Sequence, residues 1–97
     1  LEGNVAENKE KMGIISPYRI RVRQMKTRWG VNSQRTLSLT FALNLVHYSK
    51  EIIESVVIHE LAHDRVHNHS QNFYKIVLAY SPDYYFYRKK LTKGQYK

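Results

Sequence analysis

The chain has 97 residues, no cysteine and a formal charge of +8, with 42% hydrophobic and 25% charged residues. That length makes one small domain, and the lack of cysteine excludes disulfide staples, thiolate metal sites and cysteine nucleophiles together. No apolar run reaches the length of a membrane span and no signal-peptide pattern opens the chain, so a cytoplasmic setting is expected, with no membrane partner.

Residues 1–13 are polar and aperiodic. They read as a flexible lead-in, which leaves 14–97 as the folded domain. Residues 18–24 then alternate, with Tyr18, Ile20 and Val22 on one side and Arg19, Arg21 and Arg23 on the other. The pattern predicts a half-buried strand with a basic outer face. Residues 36–42 alternate again, Leu37, Leu39 and Phe41 against Thr36, Ser38 and Thr40. Between the two, Gly30 suits a turn and Trp29 a core anchor beside it. Two such neighbouring strands suggest an antiparallel pair.

Ser49 is placed to cap a helix, with Glu51 in the first turn where the helix dipole favours an anion. The apolar residues from Ile52 to Leu61 surround much of that helix, so it should be central and buried, ending near Val66 or His67. Asn68 tolerates the left-handed conformation that stops helices. Ser70 caps a second helix over Gln71 to Tyr80. Ser81-Pro82-Asp83 opens a third that runs to about Thr92. The order is α+β: a short antiparallel or mixed sheet, then three helices.

His59-Glu60-Leu61-Ala62-His63 has the pattern HExxH in the middle of the first of these helices. Residues four apart share one helix face about 6 Å along the axis, so both imidazoles reach one ion. Neutral imidazole suits zinc, and two histidines with one further ligand leave a position for water. Glu60 stands directly after the first ligand, where its carboxylate can take a proton from that water. In a chain of this composition chance gives the pattern in roughly one or two cases per hundred. Solvated surface histidines are the alternative, but the flanking Val56-Val57-Ile58 and Leu61-Ala62 make burial of unpaired polar groups there costly.

No glutamate follows Glu60, so the third ligand must come from His67, His69, Asp64 or Asp83. Asp64 points away from His59 on the same helix and reads as a surface charge. Asp83 reads as a first-turn residue that supports a ligand at most. His59 and His67 would lie about 12 Å apart along a straight helix, too far for one small ion. A chain that turns back after Asn68 brings His69 into reach, with the spacing HExxH-x5-H. His47 reads as a helix-boundary residue.

The stretches RWGVNSQRTLSL, VVIHELAHDRVHNHSQNFYKIV and SPDYYFYRKKL resemble the YgjP-like metal-dependent hydrolases, over about residues 18–92. More distantly they resemble SprT-like metalloproteases. The resemblance implies a small zincin-like domain with one zinc ion per chain on His59, His63 and His69. It also implies Glu60 as catalytic residue, Phe73 as packing beside the site, and a peptide or protein substrate. Where the family usually reads RWGSCS, this chain has Arg28 to Ser33 as RWGVNS, so any role of that cysteine is absent. The metzincin glycine would fall on Val66, which argues against that class.

Tyr80, Tyr84, Tyr85 and Tyr87 cluster with Phe86, Arg88, Lys89 and Lys90. One of these tyrosines can polarise a scissile carbonyl, but nothing in the sequence selects it. With the arginine stripe and the net charge, the cluster also supports an alternative reading, a nucleic-acid-binding module with a structural metal. Glu60 weighs against it, since a purely structural three-histidine site has no need of a carboxylate there. The leading expectation is a zinc-dependent, peptidase-like hydrolase.

Overall fold

The computed structural model describes residues 1–94. Its first element corrects the expected flexible lead-in: Glu2–Met12 forms a helix, α1. Val5, Asn8 and Met12, three and four residues apart, make its buried stripe. Too few apolar residues stand there to give the sequence an obvious period, but the stripe is enough to dock on a neighbour. Gly13 ends the helix with φ 67°, a conformation glycine adopts without strain, and Ile14 N–H bonds back to the Lys9 carbonyl at 2.9 Å. The Arg65 guanidinium, from a distant turn, donates to the Met12 carbonyl.

Three strands follow: β1 Arg19–Arg23, β2 Gly30–Ser33 and β3 Ser38–Ala42, in the spatial order β1-β3-β2. The expected antiparallel pair needs correction, because β1 runs parallel to β3, with Ile20 opposite Leu39 and Val22 opposite Phe41. The antiparallel partner of β3 is β2, which the sequence pattern did not reveal. Gly30 therefore begins a strand instead of making a turn. The β2–β3 connection holds Leu37 at φ 47°, the one non-glycine residue with positive φ among those described. Central β3 is buried on both faces, Ser38 and Ala42 as well as Leu39 and Phe41. Edge strand β1 is not: Val22 is 47% exposed.

A 3-10 helix, Leu43–His47, leads from β3 into α2, Lys50–Ala62, which has every residue from Ser55 to Ala62 buried. Ser49 caps α2 as expected, accepting from Ile52 N–H. Each buried Ile, Val or Leu of this helix contributes about 1.5–3 kcal/mol relative to exposure, so the hydrophobic effect fixes its position at the centre of the molecule. α3, Gln71–Tyr80, has Ser70 as its cap; α4 is Tyr84–Thr92, with Pro82 in the preceding turn. Both pack on α2, as α1 does. No helix among the described residues is long and apolar enough to cross a membrane.

Candidate metal centre

Helix α2 stops at Ala62, four residues short of the expected end, with His63 as its C-cap. The last bonds tighten: Asp64 N–H reaches the Leu61 carbonyl at 3.0 Å and Arg65 N–H the Ala62 carbonyl at 3.1 Å. This is the short-pitch ending that satisfies helix carbonyls without a left-handed residue, and Asn68 does not adopt positive φ. The chain turns back at once, which brings His69 over the helix end.

His59, His63 and His69 thereby meet. Each offers one nitrogen, and these three atoms lie within 4.8 Å of one another. The ring centroids are 5.2 Å apart for His59 and His63, 5.3 Å for His59 and His69, and 4.9 Å for His63 and His69. Fully buried Phe73 lies beneath all three rings at 4.4–5.1 Å, so the start of α3 makes the floor of the cluster. His67 borders the same cleft without joining the three, and His47 ends the 3-10 helix at the surface.

Hydrogen bonds orient two of the rings. His63 Nδ1 lies 3.1 Å from the Val66 carbonyl, so its proton must sit there and Nε2 keeps its lone pair. Burial pushes the His63 pKa below the ordinary histidine range, despite the Val66 bond, and keeps the ring neutral. His59 Nδ1 lies 2.8 Å from Glu60 Oε2. A carboxylate only accepts, so here too the proton belongs on Nδ1. Both residues are buried, Glu60 with 5% of its surface exposed. Three imidazoles free to present lone pairs, with no thiolate and one carboxylate beside them, fit a divalent cation of intermediate softness.

The cleft holding this cluster has a volume of about 640 Å³ and passes between α2, α4 and β2. Two residues of β2 fasten the strand to the HExxH stretch of α2. A Cβ on Gly30 would stand 2.8 Å from Glu60 Cγ and 3.1 Å from its Cδ, so only glycine lets the strand pass this carboxylate. Asn32 Nδ2 donates to the Glu60 main-chain carbonyl at 2.8 Å. Neither role is visible in the sequence pattern of RWGVNS. An isolated glycine in an extended segment marks close backbone approach as well as a turn.

Asp64 does not join the three histidines, as expected, but it is more than a surface charge. It accepts from Tyr18 Oη at 2.6 Å and Ser16 Oγ at 2.9 Å, clamping the end of α2 to the segment before β1. Burial, and then Asp64 itself, raise the Tyr18 pKa and keep that phenol a donor. Asp83 is exposed at the start of α4 and makes no side-chain cap. Of the clustered tyrosines, Tyr84 and Tyr85 line the cleft, joined there by Tyr74 of α3, and Tyr84 is buried against His59.

The fold is similar to that of the metallopeptidase zymogen of Methanocaldococcus jannaschii jannalysin, at 20% identity and a TM-score of 0.84, over 96% of this chain and 94% of that one. It is also similar to the metallopeptidase zymogen of Pyrococcus abyssi abylysin, at 25% identity and a TM-score of 0.73, over 79% of this chain and 75% of that one. No curated protein matches. A family model, YgjP-like metallopeptidase domain, matches residues 1–94, and with this histidine cluster on an HExxH helix the chain belongs to the YgjP-like metallopeptidase family.

Proposed function

We propose that this metallopeptidase uses zinc, held by His59, His63 and His69, with Glu60 as general base. The observation that carries the reading is the convergence of three histidine nitrogens within 4.8 Å beside a buried carboxylate. Imidazole donors in a chain without cysteine favour zinc over softer and harder ions. Once bound, zinc supplies Lewis acidity, which lowers the pKa of water and polarises a carbonyl.

The chain's own residues do the rest. Glu60 accepts the proton of the attacking water and returns it to the amine as the C–N bond breaks. Gly30 and Asn32 hold β2 against Glu60 and so fix the carboxylate's position. One side of β2 pairs with β3, while Gly30, Val31 and Asn32 border the cleft. An extended peptide can add to that border by main-chain hydrogen bonds. Its scissile bond would then lie above the helix.

Purified protein should carry about one zinc per chain by elemental analysis. Glu60→Gln should keep fold and zinc while peptide cleavage falls by roughly 10²–10⁴-fold, because an amide cannot serve as the base. Full turnover by the variant would remove Glu60 from the mechanism, and failure to take up zinc would remove the metal assignment.

A further inference from the structure

We propose that Tyr84 is a catalytic residue: its hydroxyl donates a hydrogen bond to the carbonyl oxygen of the scissile peptide as negative charge develops there. The inference rests on the peptidase reading of the cleft.

Tyr84 is the first residue of α4 and only 4% exposed. Its ring stacks on His59, with centroids 5.8 Å apart and planes 14° from parallel, and is flanked by Tyr74 and Tyr85 at 6.2 and 5.5 Å. Its main-chain N–H is fixed on the Ser81 carbonyl at 3.0 Å. Backbone and ring are thus both held, yet the hydroxyl has no hydrogen-bond partner among the described residues.

A phenol this well buried ordinarily finds a partner. Tyr18 is the internal comparison: its oxygen contacts Asp64, Asn32 and Gln34. No fully buried side-chain polar atom goes unpaired among the described residues, so the Tyr84 oxygen keeps some exposure, and Tyr84 lines the cleft. A rigid phenol with an uncommitted O–H beside the ligand His59 is a donor preorganised for a charge that arises in the cleft.

The other tyrosines suit the role less well. Tyr85 is 56% exposed, Tyr74 is only half-buried, and Tyr80 and Tyr87 do not line the cleft. Asn32 has its amide engaged on the Glu60 carbonyl. Arg88 lies one turn beyond Tyr84 and also borders the cleft. Its long side chain is only partly buried, so its charge is less firmly placed than the Tyr84 hydroxyl.

In the step itself the water oxygen bonds to the carbonyl carbon and the C=O π pair moves onto oxygen. The water's proton passes to Glu60. Tyr84 keeps its proton and only shares it with the oxyanion, until the C–O π bond re-forms and the C–N bond breaks.

Tyr84→Phe keeps the ring and its stacking and removes only the donor. It should lose about 10²-fold in kcat, the scale for deleting one oxyanion donor, with KM within about twofold of the parent. Zinc content and Tm should not change. Affinity for a phosphinic peptide, whose tetrahedral centre mimics the charged intermediate, should fall about as much as kcat, whereas product peptide should bind as before. Tyr80→Phe, outside the cleft, serves as the control and should match the parent. If the parent cleaves peptides and Tyr84→Phe retains its kcat, or loses only KM or zinc, this proposal alone is overturned. If the parent cleaves no member of a broad peptide library, the peptidase reading fails first and the proposal falls with it.

Discussion

Strands β1 and β2 flank the same central strand, yet β1 reads RIRVR with four of its five residues exposed, while β2 reads GVNS and is half-buried throughout. An open sheet edge is a template for another chain, and natural sheets guard it with charge or cover. β1 is guarded by three arginines. β2 carries no charge, and two of its four residues are committed to Glu60, one by what it lacks and one by an amide. The contrast teaches that the sheet serves α2 asymmetrically: one edge closes the surface, and the other packs against the Glu60 carboxylate and borders the cleft.

Substitutions on the two edges should therefore differ sharply. Gly30→Ala should have the largest effect. Its new methyl would lie 2.8 Å from Glu60 Cγ, and a displacement of about 1 Å at a catalytic group can cost about 10²-fold. Zinc uptake should persist, since the three histidines come from elsewhere. Normal kcat/KM in a folded Gly30→Ala protein would break the proposed dependence of Glu60 on this strand. Asn32→Ala comes next. Losing the bond to the Glu60 carbonyl should cost about 1–3 kcal/mol, read from denaturant unfolding, with a smaller fall in activity. Smallest is Arg21→Ala on β1, which should leave both kcat/KM and Tm unchanged. It should matter only for nucleic acid: if phosphates bind this edge, the slope of log affinity against log salt should fall by about one. A large loss of peptidase activity from Arg21→Ala would erase the asymmetry.

The same contrast marks what could be read from the residues. Alternation announced β1 and β3, and Ser49 and Ser70 announced their helices, because caps and period-two patterns are local. The histidine cluster was legible for a similar reason, since HExxH-x5-H is a local spacing on a helix and its return. β2 was not legible: GVNS has no alternation, and what makes it a strand is its pairing with β3 and its fit against Glu60. α1 escaped because Val5 and Met12 stand alone among polar residues, and only the docking surface on α2 and the Arg65 contact give them meaning. Parallel pairing of β1, the early end of α2 and the choice of Tyr84 among the tyrosines likewise depend on tertiary contacts that no window of sequence contains.

The central claim is that the chain reverses after α2 so that His69, and not His67, completes the metal centre. Zinc titration of His67→Ala and His69→Ala in competition with a chelator tests it most directly. The structure places His69 within 4.8 Å of the other two donors and leaves His67 outside the cluster. His67→Ala should bind zinc as the parent does, and His69→Ala should lose affinity by orders of magnitude. Near-parental affinity in His69→Ala, with the loss falling on His67→Ala, would contradict the account.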